Sequence, residues 1–221
     1  MITRPIVPIY FGTPTPEGFK GPPQNPSHIG DNILNNFSHE SGLGDIQLPL
    51  MVNLPKKYAG NWLFGMGPVF QFPTATNDAL GQDQWALGPV MVLGYKGKRW
   101  LGGIFPNYFW KIGSAGQDSN TPDVNQGSLL YFFNYSLPDA WQVGFNPTIT
   151  YNHRAPSGNK WRVPVELYVG KTIKMGKVPV NIKVGGEYVV VTQDTFGERF
   201  TFKFIITPVM PSLIKSPIFG E

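Results

Sequence analysis

Only 14% of the 221 residues are charged, against about 25% in soluble domains, and 14% are aromatic. No run approaches the ~18 apolar residues of a membrane helix, so few charges and many aromatics favour alternating strands over a helical membrane protein. The net charge of +4 is spread without a Lys/Arg-rich run, which excludes a nucleic-acid partner, and the absence of cysteine excludes disulfides and thiolate metal sites.

Alternation of apolar and polar residues with a period of two predicts strands along most of the chain. In chain order we expect strands over residues 2–10, 44–54, 61–72, 84–95, 99–111, 128–137, 141–152, 160–171, 177–191 and 199–207. The clearest alternation lies in 141–152, where Trp141, Val143 and Phe145 share one face and Gln142 lies on the other. Nearly all these strands have the ~10 residues that a tilted strand needs to cross a bilayer.

The connections between the predicted strands alternate in length. Short ones lie at 55–60, 96–98, 138–140 and 172–176, and longer polar ones at 11–43, 73–83, 112–127, 153–159 and 192–198. Bacterial outer-membrane barrels have this asymmetry, with tight periplasmic turns and longer extracellular loops. We therefore predict a transmembrane antiparallel up-and-down β-barrel of about ten strands, with residues 1–208 as a single domain and 209–221 as a tail.

Aromatic residues adjoin both ends of the predicted strands. Those beside short turns are Trp62, Tyr95, Trp100, Tyr135 and Trp141, and those beside long loops are Phe72, Trp85, Trp110, Tyr151 and Trp161. Two such bands are expected at the two membrane interfaces, where an apolar ring and a polar tip are both satisfied. The alternative is that aromatic residues simply favour strands; their repeated placement at strand ends favours the interfacial interpretation.

Prolines lie inside predicted strands, where each forfeits a ladder hydrogen bond unless a bulge absorbs it. They are Pro68, Pro89, Pro106, Pro147 and Pro164. At the first strand, Pro5 and Pro8 make poor ladder partners as well. We therefore predict a gap or an imperfect seam between strand 2–10 and strand 199–207.

Several segments around these prolines resemble the meta-pathway phenol-degradation family of outer-membrane proteins. They are GLGDI at 42–46, GPVFQFPTAT at 67–76, WALGP at 85–89, FNYSLP at 133–138, SGNKWRVP at 157–164 and GK at 170–171. The resemblance covers about residues 2 to 208. It implies a transporter-like barrel tied to the uptake of aromatic or other apolar compounds, and it supplies no catalytic residues.

Family members carry a signal peptide and additional strands before the segment that matches residues 2–9. The N-terminus here has no basic stretch followed by an apolar one, so no signal peptide is visible. The resemblance therefore implies a chain that is processed, or truncated at its N-terminus by one hairpin, and about twelve strands in the intact protein. The missing hairpin would fill the predicted seam.

The strand face opposite the apolar one collects charged residues. They are Arg4, Asp45, Arg99, Lys111, Arg162, Glu166, Lys183, Glu187, Arg199 and Lys203. In a barrel this face lines the lumen. One hypothesis is a pore lining whose basic bias favours anions. The other, which the neighbouring strands favour, is a network of cross-strand ion pairs that fills the interior; both can hold at once.

Groups that could carry catalysis are sparse. Two of the three histidines, His28 and His39, lie in the longest predicted loop, and the candidates for a Ser–His or Asp–His pair are Asp78, Asp83 and His153. No spacing or local motif supports a catalytic pair. The oxygen-rich loop 118–123 could hold Ca²⁺, but it lacks the spacing of an EF-hand. The basic residues of the turns 56–57 and 96–99 are interpreted as solvated rather than lipid-binding. We expect no catalytic residue, no metal and no cofactor, and hence not an enzyme.

The function that these patterns favour is a porin-like or transporter barrel of the bacterial outer membrane. Its expected partners are the lipid bilayer and a small-molecule solute, either aromatic or apolar. Three alternatives stay open: a structural outer-membrane barrel without transport, an outer-membrane hydrolase, and a soluble ligand-binding β-barrel. The soluble barrel would bury Phe200, Phe202 and Phe204 in a core and expose Lys203 to water.

Overall fold

The computed structural model describes residues 2–3, 6–16, 37–116, 123–176, 178–193 and 199–208. Its strands are β1 (Ile2–Thr3), β2 (Ile9–Pro16), β3 (Phe37–Leu43), β4 (Ile46–Asn53), β5 (Trp62–Phe72), β6 (Gln84–Lys96), β7 (Trp100–Ser114), β8 (Asn125–Ser136), β9 (Trp141–Phe145), β10 (Thr148–Asn152), β11 (Trp161–Met175), β12 (Val178–Val191) and β13 (Phe200–Pro208). A short helix α1 (Lys56–Ala59) and a 3₁₀ turn (Pro138–Ala140) lie between strands. Within these ranges no helix has the length and apolar character to cross a membrane. The predicted all-β class is confirmed.

The strands form one large antiparallel sheet and one separate hairpin. The order in the sheet is β1-β4-β5-β6-β7-β8-β10-β11-β12-β13, with β9 beside β10 between β8 and β11, and the hairpin is β2–β3. From β4 onward the sheet therefore follows the chain, as the alternating connections predict. β1 and β13 stand at the two ends of this order, and the described strands contain no ladder between them.

The first predicted strand, 2–10, is wrong as a continuous element. Ile2 pairs with Met51 of β4, and Ile6 forms an isolated bridge with Gln47. From Ile9 onward the chain pairs with β3 instead, in a stretch that we predicted to be loop. Pro8 has no N–H to donate to β4, and its carbonyl oxygen accepts from the Gly44 nitrogen at 3.0 Å, at the point where the chain changes partner.

Two of the prolines predicted to lie inside strands coincide with irregularities of the sheet, whereas Pro68, Pro89 and Pro106 lie in ladders without a register shift. The predicted strand 141–152 is interrupted after Phe145, and the carbonyl oxygen of Pro147 accepts from the Tyr131 nitrogen at 3.2 Å. The β11–β12 ladder shifts register between Val163 and Pro164. These two prolines are thus absorbed by breaks in pairing, as expected. The residues 209–221 and the side chain of Arg4 lie outside the described part of the chain.

The sheet is curved and barrel-like, because Gln47 of β4 and Thr150 of β10 line the same cavity. We call the face that carries these residues the inner face and the opposite one the outer face. The inner face holds a buried apolar cluster on β4–β7 with Val124. The outer face is apolar and exposed. On β13 Phe202 is 67% exposed and Phe204 60%, while Glu187, on the inner face of the adjacent strand β12, is 4% exposed.

Aromatic rings form two bands on the outer face. Near the short turns, ring centroids follow one another from Trp62 to Tyr95 (5.1 Å), Tyr95 to Trp100 (5.2 Å), Trp100 to Phe133 (6.0 Å) and Phe133 to Phe145 (5.9 Å). Near the long loops, the contacting pairs are Phe72–Trp85, Tyr108–Trp110 and Tyr151–Trp161. Eight of the ten predicted aromatic residues take part in these contacts, which also include Phe133, Phe145 and Tyr108.

Candidate functional site

The connection 73–83, between β5 and β6, folds over the inner face. Its Leu80 is completely buried, and Ala79 and Gln82 are buried beside it. The Asn77 side-chain oxygen accepts from the Ala79 nitrogen at 2.9 Å and its carbonyl oxygen from the Leu80 nitrogen at 2.9 Å, which forms a tight turn. Instead of extending outward as a long polar loop, this segment covers the loop end of the interior.

Asp45, one of the predicted lumen residues, anchors both ends of that segment. Its carboxylate accepts from the Gln82 nitrogen at 2.8 Å and the Ala75 nitrogen at 3.2 Å. Gln71 Nε2 adds a contact at 3.4 Å. Burial raises the pKa of the Asp45 carboxyl, and the backbone donors of Gln82 and Ala75 oppose that rise. The carboxylate thus holds a loop whose contacts lie 30 and 37 residues away in sequence.

Two threonines fasten the same segment to the chain before β4. Thr74 Oγ1 accepts from the Ile46 nitrogen at 2.9 Å and donates to the Gly44 carbonyl oxygen at 3.1 Å. Thr76 Oγ1 accepts from the Leu43 nitrogen at 3.0 Å. Two of the sequence segments that carry the family resemblance, 42–46 and 67–76, are therefore in direct contact.

Glutamine side chains extend this anchor across the interior. Gln71 Nε2 donates to Gln82 Oε1 at 3.0 Å, and Gln82 Nε2 donates to Gln126 Oε1 at 3.2 Å. Gln47 Nε2 lies 3.5 Å from Gln71 Oε1, and Gln84 Oε1 accepts from the Val124 nitrogen at 2.8 Å. Because buried amides are stable only when paired, this network gives the loop end of the interior a fixed arrangement.

A cavity of about 410 Å³ adjoins the glutamine network; we call it the amide-lined cavity. Its polar lining includes Gln47, Asn107, Gln126, Ser128, Thr148 and Thr150, and its apolar lining includes Ile6, Ile9, Leu80 and Phe109. Among the described lining residues, only Asp45 carries a formal charge. A second cavity of about 510 Å³ lies at the turn end, between Asn53, Leu63, Val92 and Lys96.

Four of the predicted lumen charges form one compact cluster, which we call the charged cluster. Lys203 Nζ lies 2.6 Å from both Glu166 Oε2 and Glu187 Oε2, and Arg162 Nη2 lies 2.8 Å from Glu187 Oε1. Glu166 and Glu187 are directly opposite each other in the β11–β12 ladder. Two cations thus neutralise two carboxylates that would otherwise repel, which agrees with the interpretation of cross-strand ion pairs.

The remaining predicted lumen residues lie elsewhere. Lys183 Nζ sits over the Tyr168 ring at 4.4 Å, and Lys111 pairs with Asp123 at 2.7 Å. That hydrogen bond lowers the pKa of the exposed Asp123 carboxyl. Arg99, in the turn before β7, and Arg199, before β13, are exposed rather than buried on the inner face. Two of the seven predicted basic residues are therefore displaced to strand ends, and Arg4 lies outside the described residues.

A chain of neutral amides crosses the turn end of the interior. Asn134 Nδ2 donates to Gln142 Oε1 at 3.0 Å, Gln142 Nε2 to Asn181 Oδ1 at 2.8 Å, and Asn181 Nδ2 to Thr172 Oγ1 at 2.9 Å. It links β8, β9, β12 and β11. A search for charged residues misses these side chains; their signal is an Asn or Gln at the polar position of an alternating strand.

The structure brings no catalytic group together at the other candidates. His39 is exposed on β3, and His153 Nδ1 lies 3.3 Å from the Tyr151 hydroxyl. Among the described residues, Asp78 and Asp83 form no hydrogen bond or ion pair with a histidine, and no three His, Asp or Glu side chains are grouped to hold a metal. His28 and the loop residues 118–122 lie outside the described ranges.

Comparisons with known proteins give no independent identification. No family model matches the sequence, and neither a curated protein nor a solved structure matches it significantly. The resemblance to the meta-pathway phenol-degradation family therefore stays a prediction. The features that bear on function are therefore the two faces of the sheet and the side chains of its interior.

Proposed function

We propose that this protein is an outer-membrane barrel whose strands cross the lipid bilayer and whose inner face forms a passage for small molecules. The observation that carries the proposal is the inverted alternation of the strands. On β13 the rings of Phe200, Phe202 and Phe204 are exposed. The side chains that they alternate with face the charged cluster, where the Glu166 side chain is 2% exposed.

The energetics of this arrangement favour lipid over water around the outer face. Burying one large apolar side chain is worth about 1.5–3 kcal/mol relative to exposure in water. Exposed apolar side chains recur along the outer face of strands such as β11, where Val165, Leu167 and Val169 follow one another. A soluble monomer rarely exposes a contiguous apolar patch of more than a few hundred Å². In a bilayer the same side chains are solvated by acyl chains.

The soluble ligand-binding alternative requires the opposite arrangement. It needs Phe200, Phe202 and Phe204 in a core and Lys203 in water, whereas the rings are exposed and Lys203 contacts two buried carboxylates. The two aromatic bands further support a membrane, because they lie at opposite ends of the strands as interfacial rings do. Strands of 11 to 15 residues in β5, β6 and β7 reach or exceed the ~9–11 residues needed to span a bilayer.

The interior suits a solute that is partly apolar. Val69, Val90 and Phe109 form an apolar cluster on β5–β7, and Phe109 lines the amide-lined cavity together with polar side chains of β8 and β10. This combination is compatible with the small aromatic or apolar compounds that the family resemblance implies. A structural barrel without transport is the second candidate, since the charged cluster and the amide chain tie neighbouring strands together.

Reconstitution of the full chain tests the proposal. We expect extraction from membranes to require detergent, and proteoliposomes to release an entrapped small solute faster than protein-free liposomes do. Liposomes that contain a denatured sample of the same chain are the control for leakiness. A protein that stays monodisperse without detergent would contradict the membrane assignment, and membrane insertion without release would establish the structural barrel instead.

A further inference from the structure

The amide-lined cavity combines many hydrogen-bonding groups with very little charge. We propose that it is a binding site for uncharged, hydrogen-bonding solutes and that it discriminates against anions. The proposal rests on the proposed function in one respect, that solutes reach this cavity along the passage. It reverses the anion preference that the count of basic residues predicts.

Neutral polar side chains supply the recognition groups. Asn107 Oδ1 accepts from Ser128 Oγ at 3.0 Å, and the side-chain amide nitrogen of Asn107 can donate to a solute. Thr148 and Thr150, on β10, add two hydroxyl groups to the same lining. Each of these groups can donate to or accept from a solute hydroxyl or amide, so the site fits neutral polar groups.

Apolar lining residues define the other side of the cavity. Phe109 and Leu80 are buried next to the polar groups, and Tyr10 contributes a phenol ring to the lining. A volume of about 410 Å³ lies within the range of ligand sites of roughly 300–1,000 Å³. The occupant that fits best is therefore a small molecule with an apolar ring and attached neutral polar groups.

The charge distribution disfavours an anion. Asp45 is the one charged group among the described lining residues, and the further charge that acts on its carboxyl is that of Asp83, also negative. The cations of the charged cluster, Arg162 and Lys203, are held by Glu166 and Glu187, and Lys111, which follows Phe109 on β7, is held by Asp123. A carboxylate that enters the cavity meets negative charge in surroundings less polar than water, where Coulomb repulsion is strong.

The test compares phenyl β-D-glucoside with phenyl β-D-glucuronide, which share a ring and a sugar but differ in one CH₂OH or carboxylate group. Efflux of each from proteoliposomes is measured by chromatography, with potassium and valinomycin holding the membrane potential at zero. We expect the glucoside to leave at least about fivefold faster than the glucuronide in the wild-type protein. Equal efflux, or faster efflux of the glucuronide, would overturn the inference while leaving the passage intact.

Matched variants connect the preference to the cavity. Asn107→Lys places a cation in the lining and should bring the ratio of the two rates close to one, chiefly by accelerating the glucuronide. Asn107→Gln keeps the neutral amide, and Ser157→Lys adds the same charge in the exposed connection 153–160; both should keep the wild-type ratio. Thr150→Lys repeats the test at a second lining position if Asn107→Lys does not fold.

Equilibrium dialysis of the detergent-solubilised protein separates binding from passage. If neither solute leaves the proteoliposomes, the proposed passage fails. Preferential binding of the glucoside in dialysis would then still support the cavity as a site. Absence of such a preference in both measurements would overturn the inference.

Discussion

At the scale of single residues, Lys203 and Arg162 stabilise the interior by neutralising buried carboxylates. Lys203 bridges Glu166 and Glu187, and Arg162 completes the group at Glu187, so each carboxylate has at least one cation within 2.8 Å. Glu166 and Glu187 are buried, and an uncompensated charge in such a place is strongly destabilising. A surface pair such as Lys111–Asp123, with the Asp123 side chain 52% exposed, contributes little.

Replacement of Lys203 with methionine tests this difference. Lys203→Met leaves two directly opposed carboxylates with Arg162 as the one ion-pair partner among the described residues, beside a longer-range interaction of Lys183 with Glu166. It should lower the free energy of unfolding by about 3–5 kcal/mol. Lys111→Met removes the exposed pair and should cost about 0–1 kcal/mol. Denaturant titrations in lipid vesicles measure both, and equal losses would show that the charged cluster contributes no more than a surface pair.

Asp45 and Asp123, which lie outside the strands, should make opposite contributions to the pH dependence of folding stability. Burial raises the folded-state pKa of Asp45 above its ordinary 3.8, so its stabilising contribution is present at acidic pH and is lost as the pH rises through that raised pKa. Lys111 lowers the pKa of Asp123, so its contribution is present above the ordinary pKa and is lost as the pH falls through the lowered one.

Unfolding titrations from about pH 7 down to pH 4 compare the wild type with Asp45→Asn and Asp123→Asn. Acidification should stabilise the wild type relative to Asp45→Asn, because the folded protein binds a proton at Asp45 more tightly than the unfolded chain does. Relative to Asp123→Asn the wild type should lose stability, or change little because the pair is exposed. The same sign in both comparisons would be incompatible with these environments.

At the scale of the strand, glycines followed by prolines lie where neighbouring strands approach each other closely. A Cβ on Gly67 would overlap the carbonyl oxygen of Leu50, and a Cβ on Gly88 would overlap that of Tyr108. The prolines that follow them, Pro68 and Pro89, are opposite each other in the β5–β6 ladder. Each Gly-Pro pair therefore combines a close backbone approach with the loss of one donor, while the β5–β6 ladder keeps its register.

Alanine at Gly88 tests the close approach. Gly88→Ala should lower the free energy of unfolding by about 1–3 kcal/mol, because the backbone of β7 must move away from the added methyl group. Gly113→Ala, on the neighbouring strand, meets only the Trp85 side chain at 3.8 Å and should change stability by less than about 0.5 kcal/mol. A neutral Gly88→Ala would mean that the two strands are less closely apposed.

Long alternating elements could be predicted from the sequence, and irregular ones could not. The bounds of β5, β6, β7 and β12 differ from the prediction by three residues or fewer, because each has many alternating positions. The β2–β3 hairpin was missed because its two stretches, IYFGTPTP and FSHESGL, lack that alternation. The Asp45 anchor was also missed, since its partners in the segment 73–83 are fixed by the curvature of the sheet rather than by any local pattern.

At the scale of the whole molecule, the two faces of the sheet divide the residues between two environments. Aromatic and aliphatic side chains cover the outer face, while amides, paired charges and the buried apolar cluster of β4–β7 fill the inner one. The sequence predicts this division because strict alternation assigns each residue of a strand to a face. It does not predict the cavities, which depend on how far the sheet curves.

Arginine substitutions on adjacent residues test the division. Phe202→Arg places a charge in the middle of the outer face of β13 and should cost roughly 2–4 kcal/mol in a lipid-refolding titration. Thr201→Arg points to the inner face, where Thr201 is opposite Glu187 in the ladder, and should cost much less. Equal costs at the two positions would contradict the assignment of the faces.

The order of the strands also constrains how the chain folds. Between β4 and β8 each strand pairs with the next one along the chain, so the sheet can grow by one hairpin at a time. Closing the short connections before β5 and β7 loses little conformational entropy, because this loss increases with the number of residues in the loop. β1 must instead find β4 across more than forty residues, with Thr3 opposite Leu50. Assembly therefore begins within the consecutive hairpins, and the amino-terminal strand docks last.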